Sequence, residues 1–548
     1  MIDEAGMTRR QLVRAGLGAA GALSVGSLLA ACGGAATQQV RGEQSTLTIA
    51  HADTPPGLDS DQVFSTFAEE IGLNCYGGDV VRYKTTTDEG VKIADVRRLD
   101  TGGIANGLAE SITASDDLRS FEFKLNPKAK SFYGNPITAE AVKWSFDRRR
   151  ALGGIGDFFV NVMFLTDPKS VEVVDEGTIR FNLPKPNPIF LQVDALCFYG
   201  GVFDLAEVRK HITEEDEWAK TWLNSHTAGF GPYHVETYRK GQQVTLIANP
   251  NYVGGRRPIE TVIWRAVSEG SERLALITRG DVDLVDALTP RQLDQLKGSD
   301  DVTTVNYVGN VVKAIKLNNA EKPFDDVRVR QAIAYATPYE QILDEVFYGT
   351  ASQMKSPLVE IDPTYTDRYW TYGTDEAKAK ALLAEAGLSG GFSTELLYDL
   401  SLPEDGLIAP ILRTALGKVG IQLELRGVPA AVYAESVSTR NFQATLGVHF
   451  PFVIDPGFWF FLHWTSDSFL NTVNYKNPEF DALVDELLTE VDAEKRRALS
   501  EQGQEILMRD LPWVGLVYPG FHVPHRAELK GLTWYPTNNI SYEFLTKS

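Results

Sequence analysis

The residues most able to do chemistry are few, and each sits in a pattern that argues against catalysis. Gly387-Leu388-Ser389-Gly390-Gly391 matches Gly-x-Ser-x-Gly. A nucleophile elbow needs a strand before its serine and a helix after it, whereas here helical spacing comes first and a strand follows. The segment therefore reads as a helix C-terminus, with Gly387 supplying the left-handed turn. Asp281, Asp283 and Asp286 resemble a calcium loop, but the required Gly and downstream Glu are absent, and Val282, Leu284 and Val285 make it a strand. His522 and His525 are candidate metal ligands, with Pro524 between them breaking the helix that the usual spacing needs. There is no phosphate-cradling Gly-x-x-x-x-Gly-Lys, so any ATPase is a partner chain. We expect no catalytic residue, metal or cofactor. The densest chemistry is aromatic: Phe450, Phe452, Phe458, Trp459, Phe460 and Trp464 surround Asp455-Pro456. Such a surface suits a sugar, an apolar-faced ligand or a cation held on ring faces.

These residues belong to a chain of 548, with 43% hydrophobic and 23% charged content. That length supports at least two lobes with large cores. Lys+Arg total 53 against Asp+Glu 73, a formal net charge of -20, which argues against nucleic acid as a partner. Three cysteines rule out a disulfide-dense scaffold and a four-cysteine zinc cluster.

The N-terminus gives an address. Thr8-Arg9-Arg10-Gln11-Leu12-Val13-Arg14 is a twin-arginine stretch before a Gly/Ala-rich apolar run from Ala15 to Ala31, too short for a bilayer span. Leu29-Ala30-Ala31-Cys32-Gly33 resembles a bacterial lipobox, in which the cysteine thiol receives a diacylglycerol before cleavage. Residues 1–31 are expected to be a signal peptide, with translation starting at Met1 or Met7, and residues 32–45 a tether from lipidated Cys32. The protein is then expected on the extracytoplasmic face of the cell membrane. Cys75 and Cys197 remain, either as a disulfide or as two separate buried thiols.

Strand and helix patterns alternate through the rest. Thr138 is placed to cap a helix through Ala141–Arg149, Glu272–Arg279 is a helix before the strand Val282–Asp286, and Pro410–Val419 reads as a helix beginning at its proline. The pattern is α/β. We divide the chain into a first lobe at 46–307 with an extra subdomain at about 84–205, a second lobe at 308–511, and a return to the first lobe at 512–548.

Several motifs in one order then carry a resemblance over essentially Ser45 to Ser548. They are Leu125-Asn126-Pro127 with Trp144-Ser145-Phe146-Asp147, Gly229-Phe230-Gly231-Pro232-Tyr233 with Asn249-Pro250-Asn251-Tyr252, Gly280-Asp281-Val282-Asp283, Pro323-Phe324-Asp325-Asp326-Val327-Arg328, and Ala377 to Gly387. They resemble solute-binding protein family 5, the receptors of peptide- and nickel-type ABC importers. The resemblance implies two unequal lobes of a periplasmic-binding-protein-like fold, hinged by two strands and closing over ligand, and a partner permease with its ATPase subunits.

In the family the principal ligand loop precedes an Asp-Pro pair, here Gly447 to Pro456. The peptide binders hold the peptide's α-ammonium with an Asp three positions before that pair, where this chain has Phe452. A buried zwitterion needs its charges paired, so the departure argues against ordinary peptide recognition through this loop. The expected ligand-binding residues are Tyr76, Phe198, Tyr199 and Phe230 from the first lobe and His449, Phe450, Phe452, Asp455, Trp459 and Trp464 from the second, Asp455 being also a possible helix cap. The function expected is a monomeric, lipid-anchored receptor that passes a small solute (oligopeptide, oligosaccharide or other) to an import permease. The alternative is a secreted hydrolase or a sensory adaptor reusing the fold.

Overall fold

The computed structural model describes residues 45–76, 80–195 and 201–548. The expected signal peptide, Cys32 and nearly all of the tether lie outside the described residues, as do Cys197, Phe198 and Tyr199. Gln44–Ser548 forms one compact unit.

Two sheets organise that unit. The first has seven strands in the order Tyr233–Arg239, Gln243–Ala248, Thr261–Ala266, Thr46–His51, Leu284–Val285, Phe521–Arg526, Val302–Tyr307. The second has six, in the order Ala351–Gln353, Trp513–Pro519, Val312–Leu317, Ala444–His449, Phe392–Asp399, Ile421–Val428. This is a two-lobed α/β architecture. The chain passes between the sheets after Tyr307 and again between Pro519 and Phe521. The second passage falls beyond the crossing expected near Pro512. The strand Trp513–Pro519 pairs on one side with Val312–Leu317 and on the other with Ala351–Gln353, which keeps it in the second sheet.

A four-stranded antiparallel sheet, Ala109–Ala114, Ser120–Leu125, Thr178–Asn182 and Val171–Asp175, carries the extra subdomain with the helices Ala139–Leu152 and Gly154–Val162. Thr138 caps the first of these helices as expected, its hydroxyl accepting from Ala141 N at 3.1 Å. The same helix is tied to the first lobe by fully buried ion pairs. Arg148 meets Asp59 at 2.6 Å and Asp61 at 2.5 Å, and Arg149 meets Asp61 at 3.0 Å. Each guanidinium nitrogen so used is charge-assisted and shielded from water, which makes the joint costly to break.

One local expectation is corrected. The helix expected from Pro410 runs over Pro403–Lys418, with Pro403 in its first turn and Pro410 inside it. Burial of Ile408, Ala409 and Leu412 offsets the lost backbone bond. The aspartates read as a strand are spoken for individually: Asp283 accepts from Thr48 N at 2.7 Å and pairs with Lys547 at 2.8 Å, while Asp286 binds His51. The helix Glu376–Glu385 ends as read, with Gly387 at φ 80° and Leu388 N donating to Leu383 O at 2.8 Å. Ser389 therefore stands in the turn after a helix.

Candidate ligand-binding site

The loop from Phe450 to Asp455 leaves the strand Ala444–His449 and enters the helix Pro456–Trp464. Both of its ends are fixed. The strand is held antiparallel to Val312–Leu317. At the other end one Asp455 oxygen accepts from Phe458 N at 3.0 Å and the second accepts from Arg496. Both oxygens are buried and engaged, so Asp455 is a cap with a buried counter-ion and not a ligand contact. Midway, Pro451 O accepts from the Asn310 amide, which also donates to Pro536 O; Asn538 in turn donates to Asn310 at 2.8 Å. The loop is thus tied to the first inter-sheet passage and to the C-terminal segment together.

Phe452 fills the place where peptide binders of the resembling family carry Asp. Its ring is half-buried and packs edge-on against Phe159 of the extra subdomain at 5.3 Å and Phe458 at 5.7 Å. Phe450 stands next to it at 6.3 Å. An aromatic at this position therefore closes the seam between the lobes by apolar contact, where an aspartate would need a cation.

Beside that seam lies a cavity of about 520 Å³ walled by both lobes. Phe158, Phe164, Lys185 and Ile189 form one wall, and Phe458, Phe461, Phe469 and the carboxylates of Asp467, Asp481 and Asp485 form the other. Phe469 is 65% exposed and meets Phe158 edge-on at 5.8 Å, an aromatic contact across the seam. The loop that presents it is pinned by Ser466, whose N and Oγ donate to Asp481 at 2.9 and 2.6 Å. A space of this size, in which five phenylalanines meet polar and charged side chains, fits a small organic molecule.

His449 points elsewhere. Its Nε2 lies 3.0 Å from the Lys316 ammonium, and its ring stacks on Trp513 at 5.1 Å beside His463 at 4.7 Å. Gly447 makes this possible, since a Cβ there would meet Lys316 Cδ at 2.4 Å. Burial lowers the Lys316 pKa to about 7. Burial and the neighbouring Lys316 push both histidines well below their usual range. Trp459 and Trp464 belong to this interior too. Trp459 donates to Pro357 O at 2.8 Å and stacks edge-on with His463 at 4.1 Å, and Trp464 packs on Trp513 at 4.8 Å. Both indoles lie in the second-lobe core and not on the cavity, because the helix that carries them turns them toward the sheet.

In the first lobe Tyr76 is buried against Phe203 at 5.1 Å, and Phe230 is buried as well. Cys75 is a buried free thiol whose pKa burial raises to about 12. Sequence reasoning missed Phe158, Phe164, Lys185, Phe461, Phe469 and the three aspartates. Phe469 carried the one legible signal, a lone aromatic in the polar run Ser466-Asp467-Ser468. Among the described residues no group of three or more His, Cys, Asp or Glu side chains comes together as a metal site. His522 bonds Asn306 and Thr350 O, both at 2.8 Å.

The family model for bacterial extracellular solute-binding proteins, family 5 (middle) matches residues 103–471. The chain belongs to this family. The resemblance read from its motifs holds at that level, and this family 5 protein is similar along most of its length to named binding proteins. The probable D,D-dipeptide-binding periplasmic protein DdpA of Escherichia coli (strain K12) is 30% identical over 463 residues, covering 83% of this chain and 85% of its own. Heme-binding protein A of Haemophilus influenzae is 28% identical over 466 residues, covering 79% and 82%. Among solved structures, the periplasmic binding protein DppA from Helicobacter pylori in complex with peptide STSA matches with a TM-score of 0.77 at 22% identity, over 93% of this chain and 99% of that one. That likeness extends the shared fold across both lobes of the family 5 protein.

Proposed function

We propose that this family 5 protein is an extracytoplasmic, lipid-anchored receptor that captures a small solute between its lobes and delivers it to an ABC import permease. The observation that carries the reading is the cavity of about 520 Å³ with one wall from each lobe. A ligand there touches both walls only when they are close, and such differential contact is what shifts an open–closed equilibrium. Driving it from mostly open to mostly closed takes a preference of about 10⁴-fold for the closed form. The relatives named above for dipeptide and heme binding support a receptor whose solute is an organic molecule rather than a bare ion. Among the described residues no helix is long and apolar enough to cross a membrane. The attachment is assigned to Cys32 on the lipobox-like Leu29-Ala30-Ala31-Cys32-Gly33.

The receptor reading is tested by native mass spectrometry of the protein purified from its host, followed by small-angle scattering after the recovered solute is removed and restored. A bound small molecule that reduces the radius of gyration and is returned unchanged is expected. A molecule converted on incubation, or no compaction with it, overturns the reading. Attachment is tested by Cys32→Ala, which is expected to move the protein from the membrane to the soluble fraction.

A further inference from the structure

The two passages of the chain between the sheets are bridged by one side chain. His522 stands in the first sheet, just beyond the passage at Gly520 and opposite Asn306 on the strand Val302–Tyr307. Its Nδ1 lies 2.8 Å from Asn306 Oδ1 and its Nε2 lies 2.8 Å from Thr350 O. Thr350 belongs to the other lobe, in the turn before the second-sheet strand Ala351–Gln353. Gly520 N donates to the same carbonyl at 3.0 Å. A Cβ on Gly520 would meet His522 Nε2 at 2.6 Å, so the glycine is what lets the ring reach across.

Both partners of the ring are oxygens. A neutral imidazole carries one N–H and one lone pair, so it donates to one oxygen and turns its lone pair on the other. Asn306 is held in this orientation by its Nδ2, which donates to Thr304 O at 3.3 Å. Turned over, it would set its own oxygen against that carbonyl. Only the imidazolium donates to both. Burial lowers the His522 pKa below its ordinary 6.5 while Thr350 O raises it, and no charged side chain adds to that balance. The second proton therefore arrives in mildly acidic surroundings. The titratable groups on the neighbouring elements are engaged elsewhere or face water. Lys297 donates to Tyr348 O at 3.2 Å, Tyr307 Oη bonds Asp88 at 2.6 Å, and His525 Nδ1 lies 3.0 Å from Val523 O. Asp344 and Glu345 are exposed.

We propose that His522 is a proton-operated clasp across the hinge. The doubly protonated ring ties the first-lobe strands to the Thr350 turn and holds the lobes as they stand here, with Phe159 against Phe452; loss of one proton loosens them. The inference rests on the receptor reading for its opening and closing lobes and adds a control to it: solute is held more firmly in an acidic medium. A proton shifts such an equilibrium only as far as it binds one arrangement better than the other. Here the difference is a charge-assisted hydrogen bond to Thr350 O.

Small-angle scattering of the solute-free chain at pH 8 and pH 5, with nitrogen-15 NMR of its histidine side chains, tests the clasp. The radius of gyration is expected to fall from pH 8 to pH 5. The His522 ring, assigned by its absence in His522→Phe, is expected to carry a proton on both nitrogens at pH 5. His522→Phe is expected to lose the fall in radius, with folding checked by its unfolding midpoint at pH 8. Asn306→Ala frees the single proton of the neutral ring for Thr350 O and is expected to be as compact at pH 8 as at pH 5; Asn306 is exposed, so the core is untouched. A parent radius that does not change, a fall kept in full by His522→Phe, or a ring with one proton at pH 5 overturns the proposal. Each of these results leaves the receptor reading standing, because that reading falls only on the mass-spectrometric and scattering outcomes with the recovered solute given above.

Discussion

In the first lobe His51 lies between two carboxylates, and in the second Lys316 lies among imidazoles and indoles with no carboxylate partner among the described residues. Both residues are 1% exposed. His51 Nδ1 is 2.7 Å from Asp286 and its Nε2 is 3.5 Å from Glu70, with Trp264 at 4.2 Å against the ring. Burial disfavours its charge, but Asp286 and Glu70 together outweigh burial and raise its pKa to about 10. Among the described residues Lys316 meets His449 and the face of Trp513, 4.7 Å away, and burial brings it to about 7. The histidine is thus the stronger base of the two. Charge in a protein interior is decided by the partners at hand more than by the side chain's ordinary chemistry.

Four measurements break or sharpen that contrast. The largest effect is expected for His51→Gln, which takes away the cation that Glu70 and Asp286 share and leaves the buried Glu70 with Tyr542. It should cost about 3–5 kcal/mol near neutral pH, as removal of one partner from a buried pair does, read by urea unfolding. A variant as stable as the parent would mean that His51 is neutral in the folded state.

The pH dependence of unfolding comes next, and its two contributions have opposite signs. The pKa of His51 is raised from 6.5, so its contribution is full below that value and is lost as pH climbs toward about 10. The pKa of Lys316 is lowered from 10.5 to about 7, so between those values the unfolded chain holds more protons and stability rises with pH. The parent is expected to show a shallow profile over this range. His51→Gln should leave a rise and Lys316→Met a fall.

Lys316→Met itself should be neutral to stabilising, by about 1–4 kcal/mol at pH 6, with the gain shrinking as pH passes the lysine's own titration. A clear loss of stability at pH 6 would show that the ammonium has a partner stronger than His449. His449→Gln should have the smallest effect, about 1 kcal/mol, since an amide oxygen can still accept from the lysine.

The sequence was a good guide where periodicity and capping decide, and a poor one where packing direction does. Thr138, Gly387 and the helix Gly270–Arg279 stand close to where local chemistry puts them. Pro410 misled because a proline at a plausible helix start is locally indistinguishable from one tolerated inside a longer helix. The aromatics around Asp455 looked like a ligand surface as a group. Phe450 and Phe452 lie at the seam and Phe458 on the cavity, but Trp459 and Trp464 are turned into the second-lobe core. One helical step separates these fates, and which step faces the sheet depends on how the helix docks.

What the sequence determined by itself was the family, the α/β lobes and the aromatic character of the region between them, because motif order, hydrophobic period and composition are local or additive properties. The tertiary structure alone decided which charges face one another. The strand Val312–Leu317 is buried along its whole length, and it sends Lys313 to Asp405 on one face and Lys316 to His449 on the other. Asp467 and Asp485 reach the same cavity as Lys185 from distant parts of the chain. Coulomb energy depends on separation in space and on access of water, and neither is written in the spacing along a chain.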